Sequence, residues 1–504
     1  YDGPRGTASP RWSRTETDFL GRTIAETHPG FRGALLVTSN AYDTVGRLVA
    51  TRTRQGGSGV PPLHAGAIIS SSLFSYDEMG DRVTTVSDRN FNGVADLAGP
   101  DLVSSNETRY VKLGNDWWRE SRQFSYHRDD SAEPQLMSTT RTRLTGLGST
   151  PAGAATFLSP QAALVTESVS VDLRGNATTR LSVRDRDAAT ETTVTRYPTS
   201  TTPASSVASN GLVVASTSQT GVTTTYGYDE LERQIAQTDG RGNTTRTVFD
   251  QNGRVSSTID ALGHATTYGY DALGRQTSVT DPLTNTVYTA YDAEGRVLAQ
   301  RGATYPVDYA YDAYGNKVSM TTYRNESDVP MVGGDVPGAP HAGDTTRWLY
   351  DEPSGCVTNK VYADGKGPRY DYTPDGKLAR RTWARGIATD YTYDNAGNLT
   401  RTEYNDNGVT PTITMAYDRV GNLINATTAG VVTNLYAYDL QGHCTNEWQN
   451  DFNLTRYYDA LGRNTGYAIN GTRQTTIAYD TYGRIAAMCM AEGRSGVLTA
   501  SNEN

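Results

Sequence analysis

The sequence predicts an all-β protein in which tandem β-hairpins of about 21 residues are wound into a large spiralling sheet, a hollow barrel or cocoon-like shell. Three observations predict this fold. A Tyr-Asp-x-x-Gly motif recurs along the chain, and the stretches between its copies are rich in Thr, Val and Tyr. Leu, Ile, Val and Phe together make up only about one residue in six, too few for the solid core of a large globule.

The Tyr-Asp motif returns at a nearly constant spacing. In the central run its aspartates are Asp229, Asp250, Asp271, Asp292 and Asp312, separated by 21, 21, 21 and 20 residues. In the C-terminal run they are Asp394, Asp418, Asp439, Asp459 and Asp480, separated by 24, 21, 20 and 21 residues. Asp351 and the "YTPDG" at 372–376 connect the two runs, and looser copies stand at Asp18, Asp43, Asp77 and Asp172.

The residues of this motif are the candidate sites, and their predicted role is structural. They are Tyr228, Asp229, Phe249, Asp250, Gly253, Arg254, Tyr270, Asp271, Gly274, Arg275, Tyr291, Asp292, Gly295, Arg296, Tyr311, Asp312, Gly315, Tyr393, Asp394, Gly397, Tyr417, Asp418, Gly421, Tyr438, Asp439, Gly442, Tyr458, Asp459, Gly462, Arg463, Tyr479, Asp480, Gly483 and Arg484.

Each residue type has a reason to stand where it does. Asp at the first position of a type I turn hydrogen-bonds to the backbone of that turn, and Gly at the fourth position accepts a positive φ. A type I turn followed by such a Gly closes a hairpin with a bulge. A second turn signal follows ten residues after three of the motifs, at Asp239, Asp260 and Asp281, so one repeat is strand, turn, strand, turn.

The number of repeats predicts the winding. If three quarters of the chain follows this rule, it supplies about 35 strands, whereas open twisted sheets rarely exceed about ten without curling. Tyr, Thr and Arg on the strands suit a lumen that is wet or filled by another polypeptide. Arg275, Arg296 or Arg463 is expected either over a Tyr ring of the next repeat or solvated beside its turn.

Interruptions of the repeat divide the chain into segments. Residues 1–103 are divergent repeats, 104–221 an irregular β-hairpin region with loops, and 222–325 regular repeats. A Gly/Pro-rich insertion at 326–345 precedes further repeats at 346–490 and a truncated end at 491–504. The Gly, Pro and Ser content of 51–65 and 196–211 predicts surface loops there as well, and 104–195 is expected to contain a hairpin about Gly114–Asp116.

Composition excludes several classes of protein. A net charge of −9 gives no general attraction to nucleic acid or anionic lipid. Three distant cysteines form neither a disulfide framework nor a metal motif, and no apolar run approaches the ~18 residues of a membrane-spanning helix. The first residues, Tyr-Asp-Gly, look like a motif cut open, so we interpret the chain as a segment of a longer protein.

The motifs "YDALGR", "YDAEGR", "YDNAGN", "YDRVGN" and "YYDALGR" resemble the YD repeats of the Rhs (rearrangement hotspot) family. The resemblance covers about residues 15–490 and implies a β-shell, which in bacterial polymorphic toxins and insecticidal toxin complexes encloses a C-terminal toxic domain. In teneurins a similar barrel serves cell-surface adhesion. The Pro-rich closing segment with an Asp-Pro-x-Gly motif, where many members cleave themselves, is not found in this sequence. Neither autoproteolysis nor toxin activity is therefore carried over.

Other candidate chemistry is weak. Asp88, Asn90, Asn92, Gly93 and Asp96 match the first three quarters of a calcium loop, but Gly99 stands where a bidentate Glu belongs, so an enlarged turn is the alternative. The six histidines are scattered, and His264 and His443 occupy the position after the motif Gly, which predicts a structural role. Trp117 and Trp118 must face opposite sides of a strand, so at most one is buried. The recurrence of Asp at turns explains the carboxylates without a glycosidase pair.

The function predicted from the sequence is a non-catalytic shell segment of a large secreted bacterial protein. Its expected partner is a downstream toxin or effector segment of the same parent protein, held inside the shell. A cell-surface adhesion or carbohydrate-binding module, with glycans as partners, is the alternative. No cofactor, metal, nucleic acid or membrane span is expected, and the expected location is extracellular.

Overall fold

The computed structural model describes residues 10–56, 66–114, 116–126, 132–144, 163–172, 175–185, 189–197, 203–324, 343–480 and 483–490. These residues form 38 β-strands and one short 3₁₀ turn, Phe31–Gly33. All of the strands belong to one sheet, in which each strand pairs antiparallel with the next along the chain. The predicted all-β fold of tandem hairpins is confirmed.

Most of the longest strands come before the regular repeats. They are β1 Arg14–Thr17, β2 Thr23–Pro29, β3 Leu35–Tyr42, β4 Leu48–Gly56, β5 Ala67–Tyr76, β6 Arg82–Ser87, β7 Leu102–Leu113, β8 Asp116–Ser125, β9 Gln135–Arg143, β10 Ala163–Val171, β11 Ala177–Asp185, β12 Thr190–Arg196, β13 Ala204–Ser209 and β14 Leu212–Thr217.

The central repeats supply short strands of five to seven residues. They are β15 Thr223–Tyr228, β16 Gln234–Thr238, β17 Thr244–Phe249, β18 Val255–Ile259, β19 Ala265–Tyr270, β20 Gln276–Thr280, β21 Thr286–Tyr291, β22 Val297–Gly302, β23 Val307–Tyr311, β24 Lys317–Thr322 and β25 Asp344–Tyr350.

The remaining strands complete the sheet. They are β26 Val357–Val361, β27 Arg369–Tyr372, β28 Leu378–Thr382, β29 Ala388–Tyr393, β30 Leu399–Tyr404, β31 Ile413–Tyr417, β32 Leu423–Thr428, β33 Val432–Tyr438, β34 Cys444–Gln449, β35 Phe452–Tyr458, β36 Asn464–Ile469, β37 Thr472–Tyr479 and β38 Ile485–Met490.

Two predicted loops are partly strand. β4 continues to Gly56, inside the segment 51–65, because Thr51 to Gln55 pair with both β3 and β5. Ala204–Ser209, inside 196–211, is strand β13 between β12 and β14, since its Ser and Ala side chains leave the backbone free to pair. Residues 57–65, most of the insertion 326–345 and the end 491–504 lie outside the described residues. The hairpin expected about Gly114–Asp116 is present, with Leu113 opposite Asp116.

The antiparallel meander gives the ribbon two turn-lined edges. Turns after odd-numbered strands line one edge, which we call the Tyr-Asp edge because the Tyr-Asp turns lie there, with Asp172 after β10 as an exception. Turns after even-numbered strands line the other, the half-period edge, which includes Asp239, Asp260 and Asp281. Each Tyr-Asp hairpin of the central run has a register shift beside its turn, as at Gly269/Tyr270, which accounts for the curvature.

The ribbon winds back alongside itself. The amide of Phe31 donates to the carbonyl of Pro374, and 25 strands, β3 to β27, separate the two residues. With neighbouring strands about 4.8 Å apart, 25 strands give a circumference of about 120 Å and a diameter of about 38 Å. Barrels of 16–18 strands already leave an aqueous channel, so a winding of this size encloses a lumen. In the described residues the sheet is an open spiral of about one and a half windings, since β1 and β38 do not pair with each other.

The wall of this spiral is thin. Among the described residues few apolar side chains are buried, and most of the larger ones lie in the first twelve strands, such as Val86 opposite Val103. In the regular repeats nearly all residues are half-buried or exposed. The stability of the repeats must therefore come from contacts between neighbouring hairpins, with little contribution from a central core.

Candidate functional site: the repeat turns and the seam between windings

The turn at Asp250 shows how one Tyr-Asp motif closes its hairpin. Asp250 Oδ1 accepts the backbone N–H groups of Asn252 and Arg254, both at 2.9 Å, and its Oδ2 accepts Arg254 Nε at 2.7 Å. The amide of Gly253 donates to the carbonyl of Asp250 at 3.0 Å, and Gly253 has a φ of +81°. The carboxylate thus satisfies the turn and holds the arginine in a fixed direction.

That arginine reaches the next repeat. Arg254 Nη1 donates to the carbonyl of Asp271 at 3.0 Å, and its guanidinium lies 4.7 Å from the centre of the Tyr270 ring. Tyr270 in turn donates its hydroxyl to the carbonyl of Val255, the residue after Arg254, at 2.7 Å. Each repeat is therefore joined to the next by a stacked cation, an arginine hydrogen bond and a tyrosine hydrogen bond.

The same arrangement recurs along the Tyr-Asp edge. Arg275, Arg296 and Arg463 lie over the rings of Tyr291, Tyr311 and Tyr479, at 5.0, 4.8 and 4.3 Å. The tyrosine hydroxyl donates back to a carbonyl of an earlier strand at Tyr42, Tyr76, Tyr228, Tyr270, Tyr291, Tyr311, Tyr350, Tyr372, Tyr393, Tyr417, Tyr438, Tyr458 and Tyr479.

Some motifs have another residue at the Tyr or the Arg position but keep the same contacts. Phe249 has no hydroxyl but lies beneath Arg233, 4.4 Å from its guanidinium. His443 takes the arginine position: its Nδ1 lies 3.0 Å from Asp439 Oδ2, and its ring stacks on Tyr458 at 4.8 Å. His264 makes the same contact with Asp260 on the half-period edge. Asn316, Asn398 and Asn422 donate their side-chain amides to Asp312, Asp394 and Asp418.

The hydrogen bonds of the turn lower the pKa of its carboxylate. At Asp250 the backbone N–H and then the guanidinium of Arg254 hold the pKa below its ordinary value. At Asp229 the guanidinium of Arg233 has the larger effect, followed by the Arg233 backbone N–H. At Asp239 the largest lowering comes from the side-chain amide of Asn243, so the turn needs no cation to keep its Asp ionised.

The second feature is the seam, the line of contacts along which the half-period edge of the first winding meets the Tyr-Asp edge of the second. Arg11 Nε donates to the carbonyl of Glu352 at 3.0 Å, and Asn176 Nδ2 donates to the carbonyl of Ala460 at 2.6 Å. These pairs, like Phe31 and Pro374, are separated by 25 strands. A Cβ at Gly30 would lie 2.3 Å from the Pro374 oxygen, so the close approach of the windings there requires glycine.

The second residue of the turn makes the contacts of the seam. The residue directly after the first residue of the turn is Glu352, Pro374, Asn395, Arg419 or Ala460, and each of them contacts the first winding. The carbonyl at this position lies outside the hydrogen bond that closes a type I turn, so it is free to accept a bond from another edge. The second residue of the motif, which varies between repeats, therefore joins the two windings, and the repeat pattern alone does not show this.

Arg419 makes the most extensive contact of the seam. It is 3% exposed, and its guanidinium donates to the carbonyls of Asp96, Leu97 and Asp101 in the loop between β6 and β7. In return Arg89 Nη1 donates to the carbonyl of Arg419 at 2.7 Å.

The calcium-like motif lies in this same loop. Asp88 Oδ2 accepts Ser71 Oγ and the Gly93 amide, while Asp96 Oδ2 accepts the side-chain amides of Asn90 and Asn92. Among the described residues, no group of three or more His, Cys, Asp or Glu side chains is placed to hold a metal ion. The cation that the loop carbonyls surround in this structure is the Arg419 guanidinium.

One buried ion-pair cluster was not predicted from the sequence. Glu120 is 1% exposed and lies between Arg109 and Arg141 of the neighbouring strands, with Glu120–Arg141 at 2.5 Å. Only the cross-strand register, which the sequence does not give, brings these three together.

Trp117 is 53% exposed and Trp118 9%, so Trp118 cannot serve as a stacking platform for a sugar. No described helix has the length and apolar character to cross a membrane.

Comparisons with known proteins agree with the motif. The model of the RHS repeat matches residues 209–244 and 249–286. No curated protein matches the chain. Among solved structures, the chain is similar to "Crystal Structure of TcdB2-TccC3 without hypervariable C-terminal region" (13% identity, TM-score 0.43) and to "Structure of Photorhabdus luminescens Tc holotoxin pore, Mutation TccC3-D651A" (13% identity, TM-score 0.42). Each alignment covers 94% of this chain and 33% of the other, so the chain spans about a third of those proteins.

The RHS repeat predicted from the motifs is thus confirmed at 209–244 and 249–286, and turns with the same hydrogen bonds occur from Asp18 to Asp480. The chain therefore contains RHS repeats, also called YD repeats.

Proposed function

We propose that this chain is the wall of a hollow shell that encloses another polypeptide segment, a toxin or effector part of the same parent protein. In this proposal the wall has no catalytic activity of its own and belongs to an exported bacterial protein. The observation that carries the proposal is the offset of 25 strands that Arg11–Glu352, Phe31–Pro374 and Asn176–Ala460 share along the seam, which supports a wall wound around a lumen about 38 Å across.

The chemistry of the wall supports a role in enclosure. Its strands carry Thr, Tyr and Arg with few aliphatic side chains, so the wall does not need a filled interior to be stable. A polar lumen lets an incompletely folded segment remain inside without strong apolar adhesion to the wall. Such a segment would be kept away from the producing cell and from proteases until the wall opens.

The solution shape of the chain gives a first test. A compact globule of 504 residues has a radius of gyration of about 23 Å. A hollow wall of the same length must have a clearly larger value, and its small-angle X-ray scattering must fit a shell better than a filled particle. A radius of gyration near that of a compact globule would contradict the proposal.

The decisive experiment uses the full-length parent protein. We expect electron microscopy to show a closed particle with density inside it, and we expect the downstream segment to resist protease in the intact particle. In a parent carrying Arg419→Ala, which opens the seam, protection of that segment should fall at least tenfold. The matched variant Arg241→Ala, at an exposed turn away from the seam, should retain it. An empty particle, or a downstream segment cleaved equally fast in all three proteins, would overturn the proposal.

A further inference from the structure

Neighbouring strands from β23 to β28 carry a line of alternating aromatic and cationic side chains. Each odd-numbered strand supplies an aromatic residue two positions before its last tyrosine, and each even-numbered strand supplies a lysine or an arginine. We call this set the cation–aromatic strip: Tyr309, Lys317, Trp348, Lys360, Tyr370 and Arg381. All of these side chains are half-buried, so each keeps a surface that a partner can contact.

The cations of the strip lie over its rings. Lys317 Nζ is 4.6 Å from the centre of the Trp348 ring, and Lys360 Nζ, on the residue that pairs with Trp348, is 5.7 Å from the same ring. The guanidinium of Arg381 is 5.9 Å from the ring of Tyr370, its partner in the register. The rings and the cationic groups therefore form one line across the strands.

This alternation is not a property of the repeat itself. At the same level of the central repeats, Tyr226 pairs with Gln237 and Tyr268 pairs with Val279, both of them neutral. The positive charges are thus specific to the strands of the strip.

The cations of the strip have no ionic partner among the described residues. Arg254 of the repeat motif forms an ion pair with Asp250, but no described carboxylate lies within ion-pair distance of Lys317, Lys360 or Arg381. Arg381 Nε also has no hydrogen-bond partner in the described part of the chain. A partner that supplies carboxylates would complete these groups.

The carboxylates of the same strands serve other cations. Asp308 and Asp371 directly neighbour aromatic residues of the strip, so the alternation of a strand directs them to the opposite face, where each pairs with an arginine. Asp344 shares the face of the strip, but it stands four residues before Trp348 and also pairs with an arginine. The face of the strip is therefore locally positive, although the whole chain is acidic.

The spacing of the cations selects the shape of an anionic partner. Cations on alternate strands are two strand spacings apart, about 9.6 Å. A polyproline II segment has three residues per turn and rises about 9.3 Å in each turn, so every third side chain returns to the same face at nearly this interval. Side chains on one face of an extended strand recur at about 6.7 Å and lose the register. Aromatic grooves are also the surfaces that bind proline-rich segments.

We propose that the cation–aromatic strip binds an acidic, proline-rich polypeptide segment in the polyproline II conformation. Carboxylates at every third position pair with the three cations, and the prolines between them pack on the three rings. Tyr362 and Trp383, which are 43% and 38% exposed, lie beside Lys360 and Arg381 and widen the apolar surface. Binding at this surface does not require a closed wall, so the proposal stands or fails independently of the enclosure proposed above.

Fluorescence anisotropy with a labelled peptide of four Glu-Pro-Pro repeats tests the chemistry of the partner. A peptide of Gln-Pro-Pro repeats lacks the charges and should bind the wild-type chain at least tenfold less tightly. A peptide of Glu-Gly-Gly repeats has the charges but no preformed conformation, and it should also bind at least tenfold less tightly. Equal affinities for the three peptides, or no binding of the first, would overturn the proposal. Tighter binding of an oligothymidylate of equal charge would do so as well, because it would assign the strip to single-stranded nucleic acid.

Paired variants locate the binding site. Lys317→Gln with Lys360→Gln should weaken binding of the Glu-Pro-Pro peptide at least tenfold. The matched variant, Lys112→Gln with Arg241→Gln, removes two exposed charges outside the strip and should bind as the wild type does. Trp348→Leu keeps all the cations and should still weaken binding at least threefold, and the urea midpoint of each variant checks that the chain is folded. Equal affinities of the two double variants would contradict the proposal.

The chain's own segment 326–341 is the alternative occupant of the strip. It carries Glu326, Asp328 and Asp335 and no lysine or arginine, but these carboxylates are two and seven positions apart and do not recur at every third residue. A variant in which the three are changed to the corresponding amides should therefore bind the peptide with wild-type affinity. A gain of tenfold or more would assign the strip to this segment and refute the proposal.

Discussion

Arg254 and Tyr270 hold each other in place across two repeats. The guanidinium lies 4.7 Å from the centre of the ring, and the Tyr270 hydroxyl donates to the carbonyl of Val255, which directly follows the arginine. Asp250 fixes the arginine in turn, so the conformation of one turn constrains the position of the next repeat. This chain of contacts explains how a ribbon with few buried aliphatic side chains is stable.

Removal of one hydroxyl should weaken this link measurably. Tyr270→Phe keeps the ring beneath Arg254 but leaves the Val255 carbonyl without its partner, so we expect a loss of about 1 kcal/mol in the free energy of unfolding. Urea unfolding followed by fluorescence measures it. Tyr288→Phe, at a ring that is 55% exposed, is the control and should change stability by less than about 0.5 kcal/mol. Similar losses in both variants would show that the Tyr270 hydroxyl has no special role.

One turn departs from the motif and should be improved by restoring it. Glu232 occupies the Gly position of the Asp229 turn with a φ of +63°, a conformation that costs a non-glycine residue about 1 kcal/mol. Glu232→Gly should therefore stabilise the chain by up to about that amount, as measured by the urea midpoint. The reverse change, Gly274→Ala, should destabilise by a similar amount through backbone strain alone, because a Cβ there would lie 3.9 Å from Arg254 Cδ, an ordinary contact. Changes of the same sign in both variants would contradict this account.

The repeat turns could be predicted from the sequence because their chemistry is local. Asp250 bonds only to residues two and four positions later, and the Gly253 φ follows from the turn type, so a short motif contains all the necessary information. The family resemblance rested on these same residues.

The seam could not be predicted in this way. Its contacts join residues 284 to 343 positions apart, and they depend on curvature that accumulates over more than 20 strands. Arg419 stands in "YDRVGN", a motif much like the others, and nothing in those letters distinguishes a buried arginine from a solvated one. The loop at Asp88–Asp96 likewise matches only part of a calcium loop in sequence, and its partner Arg419, more than 300 residues away, cannot be identified from those letters.

Acid should loosen the turns. The folded chain holds the pKa of Asp250 below its unfolded value of 3.8, chiefly through the backbone N–H and guanidinium of Arg254. The folded state therefore binds fewer protons, so this contribution to stability is complete above about pH 4 and is lost as the pH falls through the lowered pKa. The urea midpoint should decrease from pH 5 to pH 3.

A single substitution checks that the turn carboxylates cause this pH dependence. Asp250→Asn keeps an oxygen that accepts the turn amides but cannot ionise, so the variant should be less stable at pH 7 and should lose less stability between pH 5 and pH 3. Asn252→Ser, a change at the middle of the same turn, should leave the pH dependence as in the wild type. A pH dependence that is identical for Asp250→Asn and the wild type would assign acid sensitivity to other groups.

The buried arginine of the seam should be the most sensitive single position of the turns. Arg419→Ala removes a side chain that is 3% exposed and leaves the carbonyls of Asp96, Leu97 and Asp101 without this donor, and an unsatisfied buried group costs about 1–3 kcal/mol. We expect a loss of about 3 kcal/mol or more in the free energy of unfolding. Hydrogen exchange should also rise together at 96–101 and 418–421, because one contact orders both segments.

Two variants separate this effect from a loss of charge. Arg419→Lys keeps the charge but cannot bond three divergent carbonyls from one planar group, so it should recover only part of the stability. Arg241→Ala removes an exposed arginine from a half-period turn and should change the free energy of unfolding by less than about 0.5 kcal/mol. If Arg419→Ala and Arg241→Ala have the same free energy of unfolding, the two windings are not joined at Arg419. The same conclusion follows if hydrogen exchange rises at only one of the segments 96–101 and 418–421.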